Sequence, residues 1–224
     1  KNTPNRILAL LASNAKVDIR FTLRARDKNA LAKETKSFSK EILKRVPRGC
    51  VYGHDTETLE EVVFNLLRQA NKRIAFAESC TGGYIAKRIT DIPGSSEVFM
   101  ESWVNYSNEA KRKRLGVRAA TLSRYGAVSQ ETAREMAIGA LERSDADIAV
   151  SVTGIAGPGG GTPEKPLGLV WYGLAWKSES GHDAPHVETF KTITPFGRDL
   201  TRQFAAHRAL DLVRRHLMGL PLEL

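Results

Sequence analysis

The chain has 224 residues, of which 42% are hydrophobic, enough for one large domain or for one domain with a small appendage. No apolar run approaches the roughly 18 residues of a membrane span, so no membrane insertion is expected. An apolar patch at residues 7–12 is shorter than the roughly 7–15 residues of a signal-peptide core. Two cysteines, Cys50 and Cys80, are too few for a disulfide framework and belong to no zinc motif. These features predict a cytoplasmic protein without a structural metal.

The formal net charge of +9 favours anionic partners, such as nucleic acid, acidic lipid or phosphorylated metabolites. The basic residues are scattered, however, and the densest run, KRKR at 111–114, lies in a predicted helix. Aromatic residues make up 7% of the chain and are not interleaved with basic ones, so a stacking platform for single-stranded nucleic acid is not expected. Most of the charge is therefore interpreted as solvated helix faces.

The first 53 residues predict a small β-α-β segment. Residues 16–26 alternate apolar and polar side chains, which is typical of a half-buried strand. Asp27 can cap a following helix, and a turn at 47–49 leads to a short predicted strand at 50–52. Because about fifty residues barely support a core of their own, residues 1–53 are interpreted as an appendage.

Residues 54–224 predict the main domain. Thr58 and Glu61 form a capping box at the start of an amphipathic helix, and another amphipathic helix closes the chain. The predicted strands lie at residues 73–77, 97–106, 147–153, 168–176 and 187–194. Helices and strands that alternate in this way predict a three-layer α/β/α domain with a mixed sheet.

Two loops at strand ends carry the candidate chemistry. ESCTGG at 78–83 opens onto a helix, whose start and glycines present backbone N–H groups that can hold a phosphate or an oxyanion. YSNEAK at 106–111 enters a second helix, and Lys111 faces the positive end of its dipole. This position disfavours the ammonium and burial would lower the pKa further, so Lys111 is a candidate base. A plain helix-start turn and an exposed surface lysine are the alternatives.

Two further features come later in the chain. A glycine-rich loop runs from Thr153 and Gly154 to residue 162, and so many glycines indicate backbone that approaches a ligand closely. A mobile loop is the alternative. Arg198 and Arg202 begin the last helix, where either can clamp a phosphate or lie exposed on the helix face.

The residues alone leave the nucleophile open, because Ser79 and Cys80 are adjacent and both are candidates. The five histidines lie outside these loops, at His54, His182, His186, His207 and His216. If a side-chain nucleophile exists, a lysine is therefore the base that remains.

Several long motifs follow one another in the main domain: AESCTGG, the stretch from DIPGSS to NYSNEAK, GAVS, MAIGAL and SVTGIAGPGGGTPEKPLG. Together, over about residues 56–217, they resemble the C-terminal domain of the competence/damage-inducible (CinA) family. DIRFTLRARDKNALAKE and VYGHDTETLEEVV are similar to the KH-like subdomain that precedes this domain in full-length members. The resemblance implies a C-terminal piece of a longer CinA protein, or a shortened relative.

The resemblance further implies a nicotinamide-nucleotide amidase, which hydrolyses nicotinamide mononucleotide to nicotinate mononucleotide and ammonia without a metal or other cofactor. It assigns the catalytic serine to Ser79 and the base to Lys111, and it implies a homodimer or larger homo-oligomer. Where many relatives have GPDGG, the chain has GPGGG, with Gly159 in place of the acid. The residues that the resemblance assigns to the oxyanion and the substrate are Thr81, Gly82, Gly83, Tyr106, Thr153, Gly154, Arg198 and Arg202.

Two other functions stay open on the sequence. One is a non-catalytic nucleotide-binding or interaction module of a competence or DNA-damage protein, which the net charge and the KH-like segment favour. Residues 1–53 contain no GxxG clamp, so nucleic-acid binding by that segment is doubtful. The other is an amidohydrolase that acts on another pyridine nucleotide or a related amide.

Overall fold

The computed structural model of the protein describes residues 5–13, 15–178 and 184–223. Its contacts divide the chain into two compact units, Lys1–Tyr52 and Gly53–Leu224. None of the helices in these described ranges combines the length and the apolar character that a membrane span needs.

The small unit consists of two antiparallel strands, β1 (Arg6–Ser13) and β2 (Lys16–Leu23), followed by α1 (Lys28–Leu43). Asp27 caps α1, as predicted, by accepting the N–H of Ala30 at 2.9 Å. The order is therefore β-β-α, and the predicted β-α-β order is wrong. Residues 50–52 form no strand. β1 escaped prediction because RILALLAS is a continuous apolar run without the alternation of a half-buried strand.

The main unit contains a mixed sheet of five strands in the order β4-β3-β5-β6-β7. The strands are β3 (Ile74–Glu78), β4 (Phe99–Val104), β5 (Ile148–Gly154), β6 (Leu169–Trp176) and β7 (His186–Ile193). β3 pairs in parallel with β4 and β5, whereas β6 is antiparallel to both β5 and β7. All five residues of β3 are buried, which suits a strand covered on both faces. The predicted mixed α/β sheet is confirmed.

Helices cover both faces of this sheet. They are α2 (Leu59–Gln69), α3 (Tyr84–Thr90), α4 (Asn108–Leu115), α5 (Ala119–Tyr125), α6 (Gln130–Glu142) and α7 (Arg198–Leu217). On one face, α6 packs Met136 and Ala137 against Ala77, Ala149 and Ala175 of the sheet. α7 packs against β5 and β6, and it contacts α2 and α3. The predicted capping box of α2 is confirmed.

Gly139 of α6 lies where α4 ends, and a Cβ at this position would stand 1.9 Å from the carbonyl oxygen of Leu115. Because backbone cannot yield as a side chain does, Gly139→Ala should lower the free energy of unfolding by about 1–3 kcal/mol. Denaturant unfolding of both proteins measures this. Gly159→Ala is the matched control, since no atom lies within 4 Å of its Cβ position. Equal stability of the two variants would contradict the close packing of α4 on α6.

Candidate active site

The sheet register brings three polar residues together at the carboxyl ends of β3, β4 and β5. Glu78 is the register partner of both Val104 and Val152. The residues that follow, Ser79, Asn105 and Thr153, therefore form a row across the three strands. The row continues the pairing, because Asn105 N–H donates to Glu78 O at 2.8 Å and Ser79 N–H to Val152 O at 2.9 Å. This edge is where open α/β sheets bind ligands.

The side chain of Lys111, in the first turn of α4, reaches this row. Its Nζ lies 3.1 Å from Ser79 Oγ and donates to the carbonyl oxygens of Asn105 at 2.8 Å and Tyr106 at 3.2 Å. A neutral amine has two N–H groups, and the two carbonyls can accept both. Its lone pair is then left to face the hydroxyl of Ser79. The geometry is that of a base oriented by the main chain.

Lys111 is 1% exposed and Ser79 is 8% exposed, so the pair lies beneath the protein surface. Burial lowers the pKa of Lys111 to about 8, because the ammonium loses its hydration. A substantial fraction of the amine is therefore neutral near physiological pH. The alternative of an exposed surface lysine is excluded by this burial.

Cys80, the other candidate nucleophile, is also buried. Burial raises the pKa of its thiol to about 12, and the nearby carboxylate of Glu78 adds to the rise. The thiolate is the nucleophilic form of cysteine, so this thiol is poorly suited to attack. The structure thus favours Ser79 between the two neighbours.

Glu78 is a site residue that the sequence did not identify. Its buried carboxylate accepts the N–H groups of Gly83 at 2.9 Å, Ile85 at 3.1 Å and Ala86 at 2.9 Å, and the hydroxyl of Ser102 at 3.2 Å. The start of α3 is therefore occupied by a protein carboxylate. The available signal was an acidic residue at the end of the apolar strand IAFAE, where a charge needs buried partners.

This arrangement corrects the predicted oxyanion donors. The N–H of Gly83 is bonded to Glu78, and the N–H of Gly82 donates to Ser79 O at 3.1 Å. Of the three predicted amides, only that of Thr81 has no acceptor among the described residues. Gly82 and Gly83 instead provide positive φ angles, +61° and +89°, that shape the turn after the serine.

Thr153 and Gly154 lie beside the ESCTGG loop at 78–83, and both contact other parts of the protein. The hydroxyl of Thr153 donates to Ala127 O at 2.7 Å. A Cβ on Gly154 would stand 2.8 Å from Leu169 O and 3.1 Å from Cys80 Sγ. The close approach of backbone that was predicted for a ligand is therefore made at Gly154 to neighbouring protein atoms.

The start of α7 reaches all three loops of the site. Arg202 Nη2 donates to Thr81 O at 2.9 Å. Arg198 Nη1 donates to Gly157 O at 3.0 Å, and its Nη2 lies 3.4 Å from the hydroxyl of Tyr106. Arg198 and Tyr106 are both exposed, so they are accessible to a ligand. The predicted site residues thus converge on one region.

Comparison with known proteins identifies the family. A family model described as the CinA C-terminal domain matches residues 56–217. The chain belongs to the CinA C-terminal domain family. A CinA-like protein of Desulfovibrio desulfuricans is 44% identical over 98% of the chain. A putative competence-damage inducible protein of Symbiobacterium thermophilum is 46% identical over 95% of the chain. The chain covers 50% of each, so it spans about half the length of these curated CinA relatives.

Solved structures of the CinA superfamily share the fold. The competence/damage inducible protein CihA from Agrobacterium tumefaciens is 41% identical, with a TM-score of 0.66, and the match covers 75% of this chain and 98% of that one. A CinA superfamily protein from Escherichia coli is 34% identical, with a TM-score of 0.63, over 73% of this chain and 94% of that one.

Because Lys111 is buried, its positive charge should lower the stability of the folded protein. The lowering of its pKa from 10.5 to about 8 corresponds to a penalty of about 3 kcal/mol on the folded ammonium. Lys111→Met removes this penalty and also the hydrogen bonds to Asn105 O and Tyr106 O. The free energy of unfolding at pH 7 should therefore rise by about 1–3 kcal/mol, reduced by the free energy of these two hydrogen bonds. Between pH 8 and 10.5 the unfolded wild-type chain binds more protons than the folded one, so wild-type stability rises and the advantage of the variant disappears.

Urea unfolding at pH 7 and pH 10 measures this difference. Lys113→Met is the matched control, because Lys113 is an exposed residue of the same helix and its removal should change stability little. A Lys111→Met variant that is less stable than the wild type at pH 7, with no change in the difference at pH 10, would show that the amine carries no desolvation penalty.

Proposed function

We propose that the chain is an amidohydrolase that converts nicotinamide mononucleotide to nicotinate mononucleotide and ammonia. The observation that carries this proposal is the buried Lys111 Nζ, 3.1 Å from Ser79 Oγ, with its N–H groups directed to two carbonyls. A lysine of lowered pKa beside a serine hydroxyl is a known way to activate that hydroxyl. The choice of substrate follows from the family resemblance, and the net charge of +9 suits a phosphorylated one.

In the proposed reaction, neutral Lys111 takes the proton of Ser79 Oγ while this oxygen attacks the carboxamide carbon. The carbonyl oxygen becomes an oxyanion, and the Thr81 N–H is available to receive it. The ammonium of Lys111 then donates its proton to the carboxamide nitrogen, the C–N bond breaks and ammonia leaves. Water, deprotonated by Lys111, cleaves the resulting ester and restores Ser79. The balance is one amide and one water to one carboxylic acid and one ammonia.

The arginines at the start of α7 are proposed to bind the phosphate of the nucleotide. Arg198 is exposed, and its bonds from Nη1 to Gly157 O and from Nη2 to the Tyr106 hydroxyl use two of its five N–H donors. Arginine forks match phosphate oxygens well. Tyr106, 3.4 Å from Arg198, is placed to contact the ribose or the pyridine ring.

The dyad is tested by three single variants. Ser79→Ala and Lys111→Ala should each lower ammonia release from nicotinamide mononucleotide by more than about 10³-fold, because each removes a group that takes part in bond making. Cys80→Ser should keep near wild-type turnover, because Cys80 serves packing alone. Circular dichroism confirms that each variant folds.

A different pattern would identify another function. Loss of activity in Cys80→Ser with activity retained in Ser79→Ala would transfer the nucleophile to the cysteine. If the wild type releases no ammonia from the mononucleotide, the riboside or the dinucleotide, the competing proposal of a non-catalytic module, favoured by the net charge, is the one to pursue. A steep salt dependence of DNA binding would support that module.

Phosphate recognition is tested by Arg198→Gln. Loss of a charge-assisted hydrogen bond should raise KM for the mononucleotide by about tenfold, while KM for the riboside, which lacks the phosphate, should not change. Arg45→Gln is the control, because it removes one positive charge from the small unit and so reports any effect of net charge alone. Equal effects of Arg198→Gln on both substrates would remove this arginine from the phosphate site.

A further inference from the structure

Buried polar atoms without a hydrogen-bond partner occur on two side chains in the described part of the protein. They are Oγ1 of Thr81 and both Oδ1 and Nδ2 of Asn105. Each side chain is completely buried. Thr81 lies in the turn that the hydrogen bond from Gly82 N–H to Ser79 O closes, and Asn105 is beside Ser79 in the row across the sheet. The unpartnered atoms therefore lie on the two loops that carry the dyad.

Such groups require an explanation, because buried hydroxyls and amides are nearly always hydrogen-bonded. The other buried side-chain hydroxyls and amides among the described residues have partners. Ser151 donates to Ala133 O at 2.6 Å, and Thr201 donates to Thr194 O at 2.9 Å. The hydroxyl of Thr81 can rotate toward a new acceptor, and the amide of Asn105 can both donate and accept.

The site also lacks the donors that a helix start would supply. The carboxylate of Glu78 occupies the N–H groups of Gly83, Ile85 and Ala86. An oxyanion hole needs preorganised donors, and a second donor must join the N–H of Thr81. The hydroxyl of Thr81 belongs to the same residue and has no competing partner.

Building on the proposed function, we propose that Thr81 and Asn105 are two further catalytic residues that bind the reacting carboxamide. The Thr81 hydroxyl donates to the carbonyl oxygen, and Asn105 Oδ1 accepts from the amide NH₂. A primary carboxamide offers one acceptor and two donors, which complements this pair. The product carboxylate has no N–H to offer Asn105 Oδ1, so this one contact is made by the amide and not by the acid.

Burial of the pair is consistent with this role. Ser79 is 8% exposed and Lys111 is 1% exposed, so the dyad is buried to nearly the same degree as Thr81 and Asn105, which are both 0% exposed. Asn105 also lies beside Ser79 at the carboxyl ends of two parallel strands, because each follows one member of the register pair Glu78 and Val104.

The test is the pair Thr81→Val and Thr81→Ser. Valine keeps the shape and removes the hydroxyl, so kcat for ammonia release should fall by about 10²–10³-fold. Tm should stay equal or rise, because the hydroxyl that is lost had no partner in the free protein. Serine restores the hydroxyl and should bring kcat to within about tenfold of the wild type.

Thr121→Val is the matched control. The Thr121 hydroxyl is buried but bonded to Glu135 Oε1 at 2.7 Å. Its removal should lower Tm by about 2–4 °C and leave kcat unchanged. The opposite responses of the two threonines separate a contact to substrate from one that serves the fold.

Asn105→Leu, which is similar in size and apolar, should lower kcat/KM by about tenfold or more without loss of Tm. Thr81→Val with kcat within threefold of the wild type would overturn the proposal, as would equal losses of kcat and Tm in Thr81→Val and Thr81→Ser. Absence of ammonia release by the wild type itself would instead refute the proposed function.

Discussion

The amine of Lys111 is enclosed between two main-chain carbonyls and the hydroxyl of Ser79, and this contact joins β3, the end of β4 and the first turn of α4. Enclosure removes water from the ammonium and so lowers its pKa. The two carbonyls accept hydrogen bonds from the neutral amine, and they can accept them from the ammonium when it forms. Burial therefore favours the neutral amine, and the two carbonyls orient its lone pair toward the hydroxyl of Ser79.

The N–H groups at the start of α3 could have bound an oxyanion, but in this structure they bind the carboxylate of Glu78. Glu78 fills the start of α3 with a carboxylate, which fixes the turn after Ser79 but removes those N–H groups from oxyanion binding. Arg198 and Arg202, at the start of α7, place positive charge beside these loops. These arginines contact Thr81 O, Gly157 O and the Tyr106 hydroxyl, whereas Lys111 contacts Ser79 and two main-chain carbonyls.

Much of the fold and part of the candidate site could be predicted from the sequence. The capping box of Thr58 and the mixed sheet follow from local patterns. The loops alone offered Ser79, Cys80 and Lys111 as candidates and the resemblance chose Ser79, a choice that the burial of the Cys80 thiol favours independently. The sequence could not show that the N–H of Gly83 is bonded to Glu78 or that the N–H of Gly82 is bonded to Ser79 O, because no periodicity relates these residues. β1 was missed because its apolar residues do not alternate.

The pH dependence of kcat/KM for ammonia release from nicotinamide mononucleotide tests the role of Lys111 most directly, because this profile reports ionisations of the free enzyme. A base with a pKa of about 8 predicts activity that rises tenfold per pH unit below 8 and reaches a plateau above it. The rising limb should persist in Cys80→Ser. A profile that is flat between pH 6 and 9, or that falls through pH 8, would contradict a neutral lysine as the base.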